Sequence, residues 1–152
     1  MRHANDREVS RHLRDRFPYP YRMADALAWI DTADAQGRPP INFAIDLEGE
    51  AIGGAGLEPL TDVHRRTAEV GYWLGRSQWG RGIATAAVAE LTAYAFDTFD
   101  IVRLEACVFE WNPASARVLE KNGWVLEGRL RRSVLKDGVL GDALLYARLR
   151  GE

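Results

Sequence analysis

At 152 residues, with 47% hydrophobic and 28% charged residues, the chain has the make-up of one ordinary globular domain, spanning 1–152, and not of a disordered one. A net charge of −2 with the two signs intermixed argues against a nucleic-acid footprint, and no apolar run approaches the roughly 18 residues of a membrane helix. The single cysteine, Cys107, rules out an internal disulfide framework and suits a cytoplasmic protein, and with only His3, His12 and His64 scattered beside it no metal-ligand cluster is expected.

Residues 2–15 read as a short charged helix, broken by Pro18 and Pro20. A second helix is expected over 23–35, with Met23, Leu27 and Ile30 at helical spacing, and Gln36-Gly37-Arg38-Pro39-Pro40 ends it. "INFAIDL" (41–47) and "EAIGGAGLEPL" (50–60) read as a hairpin turning at Gly49, and "AEVGYWL" (68–74) as a third strand. From Gly82 to about Phe99 the pattern changes to period 3.6, with Ile83, Ala87, Leu91 and Ala95 on one stripe. "IVRLEACVF" (101–109) is an apolar strand, so 68–109 forms a strand–helix–strand unit expected to close as a parallel crossover. In "NPASARVLEKNG", Asn112 suits an N-cap, Pro113 the first helical position and Asn122-Gly123 the stop. Residues 124–149 read as two strands joined around Lys136-Asp137-Gly138. The order implies an α/β fold, a mixed sheet with helices on its faces.

The stretch "QWGRGIATAA" (78–87) follows a strand and opens a helix. Gly80 and Gly82 either make a tight turn or bring bare backbone N–H groups up to an anion at the helix N-terminus. No Gly-Lys-Ser/Thr follows, which excludes the P-loop of nucleotide hydrolases. Thr85 stands where a dinucleotide fingerprint wants glycine, and Glu105 sits mid-strand where that fingerprint wants an acid at the strand end.

With its flanks, this stretch resembles the GNAT superfamily of acetyl-CoA-dependent N-acetyltransferases, and within it the branch that acetylates ribosomal-protein N-termini. The residues carrying the resemblance are "AEVGYWLGRSQWGRGIATAAV" (68–88) and "RLEACVFEWNPASARVLEKNGWVLEG" (103–128), with weaker agreement in "NDREVSRHL" (5–13) and "ADALAWI" (24–30). The resemblance implies a mostly antiparallel mixed sheet with helices on both faces and a central parallel β-α-β unit that binds acetyl-CoA, without a metal. It implies that backbone amides of Gly80, Arg81, Gly82, Ile83, Ala84 and Thr85 hold the CoA pyrophosphate. Main-chain groups of Tyr72, Trp73 and Leu74 would pair with pantetheine like an added strand. The family's Gln/Arg-x-x-Gly-x-Gly/Ala pattern falls on Trp79 through Ala84, with Trp79 departing at its first position and Gln78 one residue out of register. Relatives usually carry a strand ahead of "NDREV", so the exposed sheet edge suggests a homodimer.

Amide formation from acetyl-CoA needs a neutral amine, a stabilised oxyanion and a proton for the leaving thiolate. On the resemblance, Ser115 is the general acid, Asn112 orients pantetheine or the serine, and Lys121 meets the 3′-phosphate. The residues alone leave Asn112 equally an N-cap and Ser115 an ordinary first-turn residue. For a base, Glu69 working through water is preferred over Glu105, since it precedes the cofactor-binding segment. The backbone N–H of Tyr72 or Leu74 could polarise the thioester carbonyl. Cys107 reads as a small core residue. Arg129, Arg131, Arg132 and Lys136 form a basic run that reads as a solvated face, with Arg129 and Arg131 an alternative greeting for an acidic acceptor. Phe17, Tyr19 and Trp29 sit where the family builds its acceptor pocket, and aromatic residues there serve as often in the core.

An α-amine with a pKa of roughly 7.7–8.0 is about one-seventh neutral at pH 7, whereas a lysine near 10.4 is neutral about once in 2,500. With no histidine or carboxylate pair evident, a protein N-terminal α-amine or a small-molecule amine is the easier acceptor than a lysine. The alternative is a non-catalytic acyl-CoA-binding sensor or partner subunit.

Overall fold

In the computed structural model, which describes residues 1–152, helices α1 (Arg7–Ser10) and α2 (Met23–Ala35) precede a hairpin of β1 (Asn42–Leu47) and β2 (Glu50–Pro59). There follow β3 (Thr67–Leu74), α3 (Ile83–Thr98), β4 (Arg103–Phe109), α4 (Pro113–Lys121), β5 (Val125–Lys136) and β6 (Val139–Leu149). The six strands form one sheet in the order β1-β2-β3-β4-β6-β5, antiparallel except where β3 lies parallel to β4. This is the mixed, mostly antiparallel sheet with a β3-α3-β4 unit that the sequence implies.

Both hairpins close on two residues with positive φ: Glu48 (55°) with Gly49 (86°), and Asp137 (50°) with Gly138 (80°). Such pairs match the right-handed twist of the strands they join, which explains the register Leu47 opposite Glu50 and Lys136 opposite Val139. On one face of the sheet Leu57, Val70 and Leu104 are buried against Val88, Leu91 and Ala95 of α3, with Ala116 and Leu119 of α4 closing the same core. The buried stripe of α3 therefore runs Val88–Leu91–Ala95, while Ile83 and Ala87 are only half-buried.

Residues 2–15 are not one helix. Asp6 caps a single turn by accepting the Glu8 N–H at 2.8 Å, and only Ala4, Val9 and Ser10 of this charged stretch are buried, so no apolar stripe extends the turn. The chain then crosses the opposite face of the sheet. Arg14 pairs with Glu69, Arg16 with Glu58 at 2.9 Å, and the Phe17 ring lies 5.2 Å from that of Trp73. Helix α2 forms as expected, but Met23, Leu27 and Ile30 face solvent and none of its residues is buried. Cys107 is exposed as well, on the face opposite its buried neighbours Ala106 and Val108, as strand alternation requires.

Candidate active site

Strands β3 and β4 pair only from Thr67–Glu69 to Arg103–Glu105. Beyond that point Val70–Leu74 stays bonded to β2, while Ala106–Phe109 stays bonded to β6, and a cleft opens between them. Hydrogen bonding alternates along an antiparallel ladder, and it fixes what lines this cleft. The Gly75 N–H donates to the Ile52 carbonyl at 2.8 Å, one step along the register that sets Leu74 opposite Gly53. Odd-numbered residues of β3, Trp73 among them, therefore turn their main-chain groups toward β2. Tyr72 and Leu74 turn theirs into the cleft. The Leu74 carbonyl already accepts from the Trp79 indole N–H at 2.7 Å.

At one end of the cleft lies the glycine loop. Gly80 (φ 75°) and Gly82 (φ 79°) both adopt the left-handed conformation that disfavours side chains, and no heavy atom lies within 4 Å of where a Cβ would stand on either. Gly82 is the N-cap of α3, no side chain caps that helix, and its first intrahelical bond is Ala86 N–H to the Gly82 carbonyl at 3.0 Å. The N–H groups of Ile83, Ala84 and Thr85 thus precede the first helical bond and have no capping side chain, which suits an anion. The loop is steadied from below by Asn122, whose amide donates to the Thr85 carbonyl at 3.1 Å and the Val118 carbonyl at 2.9 Å. Lys121 sits in the last turn of α4, exposed.

Helix α4 brings up the other wall. Asn112 is its N-cap, its side-chain oxygen accepting the Ser115 N–H at 3.2 Å, and Pro113 follows at the first helical position. Ser115 faces β3, with its Oγ 2.7 Å from the Tyr72 hydroxyl, which also lies 3.2 Å from the Ser115 carbonyl. Burial pushes the Tyr72 phenol up to about 12, against a smaller opposing effect of the Ser115 hydrogen bond.

Glu69 stands where the β3–β4 pairing ends. Burial raises its carboxyl above the ordinary 4.5, although the Arg14 guanidinium beside it pulls the other way. It lies directly between Glu58 on β2 and Glu105 on β4 in register, so three carboxylates form one row across the sheet. Glu105 accepts from Arg103 Nε at 3.2 Å.

The fold thus brings Tyr72, Leu74, the loop from Trp79 to Thr85, Asn112, Ser115 and Glu69 around one cleft. Arg129 is engaged by Glu110 and Asp142, a solvated ion-pair cluster. Tyr19 and Trp29 are exposed, while Phe17 stacks on Tyr21 at 4.9 Å and reaches Trp73. Three participants escape sequence reasoning: the Tyr72 hydroxyl, the Trp79 indole and Arg14. Each acts on a partner through the folded chain, and only the aromatic character of "GYWL" marks the first.

The structure thus holds a cleft between two parting parallel strands, with unpaired helix N–H groups at its end. The sequence profile of the acetyltransferase (GNAT) domain matches residues 1–125, and the chain belongs to this family. It is 34% identical over 110 residues to the ribosomal-protein-serine acetyltransferase of Escherichia coli (strain K12), covering 70% of this chain and 59% of that protein. The structure of Mycobacterium smegmatis RimJ in complex with CoA-disulfide superposes with a TM-score of 0.74 at 33% identity, covering 84% of this chain and 62% of RimJ. A GNAT-family acetyltransferase from Bacillus anthracis shares the fold, with a TM-score of 0.81 at 22% identity over 99% of this chain and 87% of that one. The chain spans about six-tenths of the length of the first two. No helix is long and apolar enough to cross a membrane.

Proposed function

We propose that this chain transfers an acetyl group from acetyl-CoA to a primary amine by direct attack within a ternary complex. The observation that carries this reading is the cleft itself, with the α3 amides at one end and Ser115 on the wall facing β3. On this reading the amides of Gly80 to Thr85 receive the pyrophosphate, Tyr72 and Leu74 lend main-chain groups to pantetheine, and Lys121 meets the 3′-phosphate. Trp73 contributes its ring and not its main chain, which the β2 ladder uses.

Ser115 donates a hydrogen bond to the sulfur as the thiolate leaves, and Asn112 holds the turn that presents it. Glu69 takes the proton lost by the amine, through water, and its raised pKa makes it a better base than a free carboxylate. The acceptor is a protein N-terminal α-amine or a small-molecule amine. The family likeness to ribosomal-protein acetyltransferases supports the former. The assembly is a homodimer and the setting cytoplasmic.

The test is release of free CoA thiol from acetyl-CoA across N-terminal peptides, polyamines and aminoglycosides. Acetylation of at least one α-amine or small amine is expected. Binding of acetyl-CoA without thiol release from any acceptor would instead make the chain an acyl-CoA sensor.

A further inference from the structure

The resting hydrogen bonds of Ser115 conflict with its work. A phenol has one proton to give, and a carbonyl can only accept. With the Tyr72 hydroxyl 3.2 Å from the Ser115 carbonyl and 2.7 Å from Ser115 Oγ, two arrangements are possible. In one, Tyr72 donates to the carbonyl and Ser115 donates to Tyr72, so the serine proton points away from any substrate. In the other, Tyr72 donates to Ser115 Oγ, and the serine proton is free.

We propose that Tyr72 is a positioning residue for Ser115, whose hydroxyl swings its proton from the Ser115 carbonyl to Ser115 Oγ as Ser115 turns its own O–H toward the cofactor sulfur. The proposal rests on Ser115 serving the leaving group, and goes beyond it by assigning a task to the Tyr72 side chain, which binding through the main chain does not need. Three features of the site make the switch effective. Both partners are held by regular structure, Tyr72 by the β2 ladder and Ser115 by the first turn of α4, so their separation is fixed. The phenol is half-buried against the core, and its raised pKa keeps it a donor throughout the working range. A serine hydroxyl that receives a hydrogen bond gives a stronger one, because the two polarise in series.

The electrons and protons balance without a further reactant. The amine nitrogen forms the C–N bond, the C–S bond breaks with its electron pair going to sulfur, and the amine's surplus proton leaves through Glu69 to solvent. Ser115 stabilises the thiolate by donation and keeps its proton; the thiolate is protonated by solvent on release.

The experiment compares Tyr72→Phe, Ser115→Ala and the double variant on an acceptor identified by thiol release. Each is accompanied by calorimetric titration of acetyl-CoA and a thermal melt. Tyr72→Phe keeps the ring and the main chain, so acetyl-CoA affinity within about twofold of the parent is expected, with kcat lowered about tenfold. The double variant should be no slower than Ser115→Ala, since the two act as one unit. The solvent isotope effect on kcat should fall in Tyr72→Phe to the value seen in Ser115→Ala, which a merely structural role would not produce.

A parental kcat in Tyr72→Phe beside a slow Ser115→Ala overturns the switch and leaves the role of Ser115 standing. Additive losses in the double variant overturn it too. A parental kcat in Ser115→Ala overturns both readings. Should Tyr72→Phe fold poorly, 3-fluorotyrosine at position 72 retains the hydroxyl and makes it a stronger donor. There, kcat above the parent's supports the switch, and kcat at or below it counts against it.

Discussion

Glu69 of β3 and Glu105 of β4 face each other on the last rung at which those two strands pair, and beyond it the strands separate. The base we assign therefore sits at the apex of the cleft, where the sheet's hydrogen bonding gives way to an open wall.

The donor loop is tested at Gly82. A glutamate there would meet a positive φ of 79° and place a carboxylate at the amides of the α3 N-terminus, so Gly82→Glu should abolish acetyl-CoA binding. Gly82→Ala has open space around its added carbon and bears only the left-handed backbone cost of about 1–2 kcal/mol, so it should bind more weakly but measurably. Isothermal titration decides, and parental binding by Gly82→Glu would move the site elsewhere.

Glu69 predicts a pH signature. Burial raises its carboxyl above 4.5 in the folded chain, so the folded state holds that proton more tightly than the unfolded one. Its contribution to stability is full below the unfolded pKa and is lost as pH rises through the folded pKa. Glu69→Gln is neutral throughout, so its melting temperature relative to the parent should climb as the pH rises through the raised Glu69 pKa. Its kcat/KM should fall about a hundredfold and lose the acidic limb of the pH profile. An unchanged pH–rate profile would remove Glu69 as the base.

Asn112 separates structure from chemistry. Asn112→Ala deletes the cap that accepts the Ser115 N–H, at a cost of about 1 kcal/mol, so it should lower both the melting temperature and kcat. Ser115→Ala should lower kcat roughly ten- to a hundredfold, the loss of one hydrogen bond made to the developing thiolate, and leave the melting temperature within about a degree. Parental stability in Asn112→Ala would contradict the capping geometry.

For assembly we expect a homodimer. Strand β1 is one edge of the sheet, its outer backbone groups unpaired, and Met23, Leu27 and Ile30 of α2 present an exposed apolar stripe. Light scattering at high micromolar concentration should give twice the chain mass, and a monodisperse monomer would reject it.

What the sequence makes legible is local. Asp137-Gly138 announces its turn, and Asn112-Pro113 with Asn122-Gly123 brackets α4, because each acts on its own neighbours. The glycine loop is legible for the same reason, since a strand, two glycines and a helix lie in one run. Long-range choices are not. The pairing of Arg14 with Glu69 joins residues far apart in the chain, and the Tyr72–Ser115 contact exists only because α4 packs against β3. Cys107 looks like a core residue by type, yet its place in the alternation of β4 puts it outside. Residues 2–15 carry helix formers without an apolar stripe, so most of that helix never forms.

The Trp79 indole has a consequence of scale. By engaging the Leu74 carbonyl it leaves the cleft edge of β3 an uneven row of groups: both main-chain groups of Tyr72 and the N–H of Leu74 are unpartnered, while the Leu74 carbonyl already has one donor. A guest lying along that edge cannot slide by a step without losing a partner. On the proposed reading, a long flexible donor anchored at the α3 amides and indexed by this short row would be measured off like cloth against a rule, its reactive end stopping at one mark.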